Sequence, residues 1–237
     1  MENIMKPTAE EIQYAMNLVY ALDEDGFSGC IKYHQKGSIY SLDNLEAFES
    51  QRDSWTDDGV KFYAGCTKVC IVDPKLEQWV IKISIDRRTN PAYDSDAQID
   101  FCAEECNLYR LACDNHLENY FAPAFDIGTY CDMTVELQRR VRVDMDGISD
   151  CFYNYISEET DHDDYEDEDD YNGAVWNRVD DMEDDERIYA IFDGNEDIEA
   201  LVQFIDDHSI NDLHEGNWGY DYFTGQIYLM DYSGYVA

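Results

Sequence analysis

Apolar residues recur at helical spacing near the start of the chain. Ile12, Ala15, Met16, Val19 and Leu22 fall three or four apart, and Thr8 and Glu11 stand ahead of them in capping-box arrangement, so a helix is predicted over residues 8–22. Asp25-Gly26 breaks it. A second, shorter helix is predicted over 42–51, closed by the turn residues Asp57, Asp58 and Gly59. The period then switches to alternation. Residues 60–62, 68–72 and 79–85 read as an antiparallel meander, with Asp73-Pro74 opening the turn between the last two strands. A helix over 96–113 follows, with Phe101, Glu105, Leu108 and Ala112 on related faces. Residues 121–128 read as extended or loop, and 134–143 alternate as one strand. The sum is a small sheet with one helix packed on it.

The second half is patterned differently. Residues 157–170 are almost wholly acidic, and like charges at that density cannot pack against one another, so the segment reads as a solvated loop. A second acidic cluster, 180–186, lies in a helical stretch whose apolar side is Val175, Val179, Met182 and Ile188. Residues 197–208 form a clearer helix, with Ile198, Leu201, Val202 and Ile205 on one face. Directly after it comes Asn211-Asp-Leu-His-Glu-Gly-Asn217. A hairpin turning at Thr224-Gly225 then delivers Ile227, Leu229 and Asp231.

Composition adds one unusual feature. An apolar share of 44% over 237 residues supplies a core for one large domain or two small lobes. Against that, 54 acidic residues face 16 basic ones, a formal net charge of -38. Such a field disfavours direct binding to nucleic acid or anionic membrane and favours a basic protein partner. The tract 158–170 admits three readings: an inert solvated loop, an electrostatic lure for a basic partner, or a low-affinity cation site. The N-terminus has no unbroken apolar run of the signal-peptide kind and no stretch reaches membrane-spanning length, which makes the cytoplasm the expected location. The eight cysteines include no C-x-x-C pair. Cys102 and Cys106 fall one helical turn apart, but neither a second pair nor a histidine stands beside them.

Candidate chemistry concentrates around the hairpin. Phosphoryl transfer needs metal ions on the phosphates, a carboxylate to orient the acceptor hydroxyl and a cation for the phosphates. Asp212, on a loop after a helix, suits the carboxylate role. Asn217 offers a neutral oxygen and Asp231 a hard anionic one, both suited to magnesium. Lys82, in the alternating strand Val80-Ile-Lys-Ile83, is the candidate cation, and Glu104 or Glu105 on the following helix could hold it.

Asp212-Leu213-His214-Glu215-Gly216-Asn217 resembles the H-G-D-x-H-x-x-N catalytic loop of the protein-kinase-like superfamily, in the variant shared by aminoglycoside and choline kinases. The interval from Asn217 to Asp231, spanned by a hairpin, is similar to that family's spacing between loop asparagine and metal-binding aspartate. Over residues 60–235 the order of elements is similar too. Gly65-Cys-Thr67-Lys68-Val69 stands where a glycine-rich loop would, Val80-Ile-Lys82 where the lysine strand would, and Val135-Glu136-Leu-Gln138 where the inter-lobe hinge meets adenine.

The resemblance implies an α+β, two-lobed kinase-like fold: an N-lobe antiparallel sheet with one packed helix over 60–143, and a reduced, mostly helical C-lobe over 144–237 whose hairpin carries the metal site. Residues 1–59 would be a helical extension. It implies ATP and Mg2+ as cofactors, with Asp212 as catalytic base and Asn217 and Asp231 as metal ligands. Lys82 would take the phosphates with Glu105 as its partner, and His214 would be a structural member of the loop. Gly65, Thr67, Lys68, Glu136 and Gln138 would complete the nucleotide site. The chain departs from the family's pattern where Ile210-Asn211 precedes the loop, where Gly65 is the sole glycine of its loop, and where six residues follow Asp231 in place of the acceptor-binding helices. The activity expected is an ATP- and magnesium-dependent phosphotransferase of unassigned acceptor, or a pseudokinase. The alternative is a non-catalytic acidic interaction protein on a kinase-like scaffold, a nucleic-acid mimic of the kind a phage or other mobile element carries.

Overall fold

The computed structural model describes residues 6–24, 59–64, 67–84, 99–192 and 194–233. The helix expected over 42–51 lies outside them. The architecture is mixed α+β, and the chain divides into two compact units, Met1–Arg110 with Pro123–Arg140, and Leu111–Ala122 with Val141–Ala237.

The first unit opens with helix α1, Ala9–Glu24. Its capping box is closed in both directions: Thr8 N–H donates to Glu11 Oε2 at 2.7 Å, and Glu11 N–H donates to Thr8 Oγ1 at 3.2 Å. Strands β1 (Lys61–Ala64), β2 (Lys68–Val72) and β3 (Trp79–Ser84) follow as the expected meander. Helix α2 (Phe101–Asp114) leads to β4 (Ala124–Tyr130) and β5 (Met133–Arg139). The five strands form one antiparallel sheet in the order β1-β2-β3-β5-β4.

Alternation gives this sheet two unlike faces. Val69, Ile71, Trp79, Ile81, Ile83, Met133, Val135 and Leu137 point to one side, where Ala15, Val19 and Leu22 of α1 complete the core. Polar contacts fix the helix there, with Trp79 Nε1 donating to Glu11 Oε1 at 3.1 Å and Tyr14 Oη to Asp73 Oδ2 at 2.7 Å. Helix α1 thus packs as a layer of the first unit. The opposite face carries Lys68, Lys82, Ser84, Thr134, Glu136 and Gln138, all buried. Asp100 ties the start of α2 to this face: its carboxylate accepts from Ser84 Oγ (2.8 Å) and from the Thr134 N–H (2.7 Å).

The strand expected over 134–143 is two strands. β5 ends at Arg139, and after Arg140 the chain enters β6 (Val141–Val143), which belongs to a second sheet ordered β6-β7-β8. Arg140 N–H donates to the Gln78 carbonyl at 2.8 Å, which closes the first sheet at that point. The unit boundary accordingly follows Arg140 and not Val143, and 111–122 belong with the second unit.

The second unit contains α3 (Met145–Glu158), α4 (Glu168–Asp180), α5 (Asp184–Phe192) and α6 (Ile198–Asp207), then the hairpin β7 (Trp218–Asp221) and β8 (Ile227–Leu229). The acidic segment 157–170 is exposed as expected but is not a continuous loop. It includes the end of α3, a short 3-10 turn over His162–Asp164 and the first turn of α4. Acidic residues suit that last position, because Asp167 caps the helix, accepting from the Asp170 N–H at 3.0 Å, and carboxylates complement the positive helix end. Val175, Val179, Met182 and Ile188 are each buried, on α4, on α5 and on the bend between them.

Since Ile81 is wholly buried in the central strand of the first core, Ile81→Ala should lower stability by about 2–5 kcal/mol, read from urea unfolding midpoints at unchanged slope.

Candidate functional site

Residues that the sequence singles out form one group in each unit. In the first, Lys82 stands in register with Cys70 of β2 and Glu136 of β5. Because Ile81 and Ile83 face the core, Lys82 faces α2, where its ammonium lies 3.3 Å from Glu105 Oε2. Lys68, at the start of β2, reaches the same oxygen at 2.7 Å. Water is nearly excluded from all three, with exposures of 7%, 3% and 0% for Lys82, Lys68 and Glu105. Helical geometry chooses between the adjacent glutamates. Glu105 follows Phe101 and Cys102 at i+4 and i+3 onto the buried side, while Glu104 is exposed.

Two buried ammonium groups require compensating charge, since an unpaired ion in a protein interior costs several kcal/mol. Glu105 supplies one negative charge to both. A second carboxyl, Glu136, lies directly across the ladder from Lys82, is 0% exposed, and has Glu105 as a neighbouring carboxyl, with no donor reaching either of its oxygens. Burial in the first place, and the Glu105 charge in the second, push this carboxyl well above the usual carboxylate range, while Lys82 and Lys68 pull it down. Burial and the Glu136 charge likewise raise the Cys102 thiol, so Cys102 is a neutral, inert member of the layer.

Lys82 and Glu105 are therefore brought together. Lys68 is not on a loop, because it opens β2, and Thr67 just before it is buried; Gly65 lies outside the described residues. Glu136 and Gln138 do not form a hinge. They sit inside β5, which is paired on one side with β3 and on the other with β4, so their backbone groups are used by the ladder. What they contribute is side chains on the polar face. The alternation of Thr134, Glu136 and Gln138 with Val135 and Leu137 is the sequence signal that would have given this.

In the second unit, the segment after α6 is fixed mainly through its backbone. Ile210 and Leu213 are buried anchors, and Ile210 N–H donates to the Ile205 carbonyl at 3.0 Å. Trp218 Nε1 donates to the Leu213 carbonyl at 3.1 Å, and Asn217 Nδ2 to the Asp212 carbonyl at 2.7 Å. That leaves the side-chain oxygen of Asn217 as its acceptor atom. His214 Nδ1 accepts from the Gly216 N–H at 3.0 Å, and its Nε2 is 3.6 Å from Asp212 Oδ1, so the ring bridges the turn to the half-exposed carboxylate. A Cβ at Gly216 would lie 2.7 Å from His214 Cε1, so any larger residue there would displace the ring.

The hairpin brings Asp231 back beside this segment. Trp218 pairs with Leu229, and the Met230 N–H extends the ladder one step by donating to the Asn217 carbonyl at 2.9 Å. Asp231 is next in line, two residues past the end of β8, and Tyr232 behind it is buried with its Oη donating to the Ala122 carbonyl at 2.9 Å. Asp212, Asn217 and Asp231 thus belong to one tightly bonded turn and hairpin. No cluster of three or more His, Cys, Asp or Glu side chains is arranged for a metal among the described residues. One carboxylate with one amide oxygen still fits magnesium, which keeps waters and takes further ligands from phosphate.

Comparison with protein-family models, with curated proteins and with solved structures finds no match to this chain. No helix among the described residues is long and apolar enough to cross a membrane.

The state of Glu136 has a thermodynamic sign. A raised folded pKa means that the native protein holds this proton more tightly than the unfolded chain does. Its contribution is fully present below the unfolded carboxyl value of about 4.3 and is lost as pH climbs toward the folded one. Glu136→Gln escapes that loss, so its melting temperature relative to wild type should rise over the pH range above the unfolded carboxyl value of about 4.3. A constant difference across that range would show that Glu136 does not titrate abnormally.

Proposed function

We propose that this chain is a kinase-like phosphotransferase that uses ATP and magnesium. The observation that carries the reading is the buried pairing of Lys82 with Glu105, at 3.3 Å between a strand and a helix. A lysine held in that way is a preorganised charge, kept from folding back onto its own strand and positioned for a polyanion.

The other residues have matching capacities. Asp212 is half-exposed on a turn bonded at both ends, where it can orient an acceptor hydroxyl and take its proton. His214 positions that carboxylate from 3.6 Å. Asn217 and Asp231 offer two hard oxygens. Magnesium and ATP would supply the activated phosphoryl group. The acceptor is the part for which no residue argues.

A second reading has its own support. The segment 158–170 is exposed almost throughout, a dense negative surface within a chain of net charge -38. We propose that this surface engages a basic protein partner, and the two readings are compatible. Binding to such a partner should weaken steeply with salt. Affinity that persists after both acidic clusters, 158–170 and 180–186, are neutralised would remove the surface from consideration.

Thermal unfolding tests the nucleotide reading. ATP with magnesium at one hundred times its Kd should stabilise the native state by about 2.7 kcal/mol, a rise in Tm of roughly 5–10 °C for a chain of this size. Asp231→Ala and Asn217→Ala should abolish the magnesium-dependent part, and Asp212→Asn should keep the shift while losing phosphoryl transfer. Absence of any shift with wild type would overturn the reading. A shift without transfer by wild type would make the chain a pseudokinase.

A further inference from the structure

Four ionisable side chains meet on the polar face of the five-stranded sheet. Lys68 and Lys82 both contact Glu105 Oε2, and Glu136 lies opposite Lys82 on the neighbouring strand. With Glu136 ionised the set is neutral, two positive charges against two negative ones. With Glu136 protonated it carries one net positive charge. Glu136 is the one member whose oxygens, wholly buried, have no hydrogen-bond donor. An ionised carboxylate without donors is the least supported state of that group in a protein interior.

We infer that Glu136 acts as a proton-linked counter-charge to the lysine pair, so that binding of a phosphate group at Lys68 and Lys82 is coupled to protonation of Glu136. This rests on the proposed reading of Lys82 as a phosphate-binding residue. An arriving phosphate brings negative charge next to the carboxyl and so favours its neutral form. By reciprocity, the neutral form favours the phosphate. The burial and the Glu105 charge that already raise this carboxyl act in the same direction.

Among the described residues, these groups face Glu136. β3 presents Lys82 and β4 presents its register partner Asp126, which is exposed and whose Oδ1 accepts from the Gly128 N–H. From β2 comes Lys68, and from α2 come Glu105, Cys102 and Cys106, whose thiols burial and the Glu136 charge both raise. Neither thiol ionises in the working range. Glu105 is ion-paired with both lysines, while no donor reaches the Glu136 oxygens, so the proton is placed on Glu136.

The sign follows from linkage. Affinity is highest where Glu136 is protonated in the free protein and falls as pH rises from its free to its bound pKa, by at most about tenfold per pH unit because one proton is involved. A nucleotide's own phosphate ionisation works the opposite way, strengthening binding as pH rises.

Titration calorimetry on the full chain tests this with two probes, magnesium ADP and inorganic tripolyphosphate, at several pH values and in buffers of different ionisation heat. Wild type should take up a proton on binding and lose affinity with rising pH. Glu136→Gln, a neutral isostere of the protonated form, should lack that uptake and show no loss of affinity with rising pH, only the gain that ionisation of the probe's own phosphate brings. Equal pH slopes and equal proton uptake in the two proteins overturn the inference while leaving the nucleotide reading intact. Tripolyphosphate binding with a Glu136-dependent slope, and ADP no tighter, sustains the inference and overturns the nucleotide reading. Failure of both probes to bind overturns both.

Discussion

One carboxylate oxygen shared by two buried lysines is the constraint on which the first unit turns. Lys68 and Lys82 reside on neighbouring strands and cannot be withdrawn to water without breaking the sheet, so a helix must bring Glu105 to them. That requirement fixes the rotation of α2 as well as its position, because a step of one residue would present Glu104 or Cys106 instead. Asp100 adds a second restraint at the helix start by bonding β3 and β5 at once. The apolar face, by contrast, is ordinary: α1 covers it with small and branched side chains. Removal of Glu105 alone would take from both lysines the carboxylate oxygen that they share.

The second unit secures its polar turn differently. Few of its fixing bonds are between charged groups. Carbonyls of Asp212, Leu213 and Asn217 are taken up by the Asn217 amide, the Trp218 indole and the Met230 N–H, so the turn is held by its backbone and its acids need not act as struts. This accounts for how acidic and half-exposed side chains can occupy a rigid place. Where carboxylates do crowd, the cost shows: Asp184 at the start of α5 is raised first by burial, with Glu183, Asp212 and Asp185 adding to the rise against the pull of Arg187.

Periodicity disclosed most of this. The helix after Thr8, the three-strand meander, the helix before His208 and the hairpin turning at Thr224-Gly225 are all legible from spacing and turn residues, since each is governed by local rules. Lys82 with Glu105 was legible as well, once a strand and a helix were assigned. Three features were not. The break at Arg140 between sheets is hidden because Val141 and Val143 resume the alternation of Val135 and Leu137 beyond Arg139, and the change of strand partners that divides them is tertiary. Helical order in the acidic stretch was hidden because dense charge argues against packing, whereas Asp167 and its neighbours serve the start of a helix. Glu136 was read for its backbone, and its importance lies in a buried side chain whose company, from β2, β3 and α2, is assembled only by folding.

The placement of the indoles has an optical consequence. Trp79 lies in the core of the first unit and Trp218 beneath the turn of the second, both buried, while Trp176 is exposed. Trp218 is bonded through its ring N–H to Leu213, inside the very turn that holds Asp212 and His214. Its emission colour and lifetime are therefore set by that turn, and those of Trp79 by the sheet. The chain carries a native fluorophore in each half, and either can be followed alone after the other tryptophans are replaced by phenylalanine.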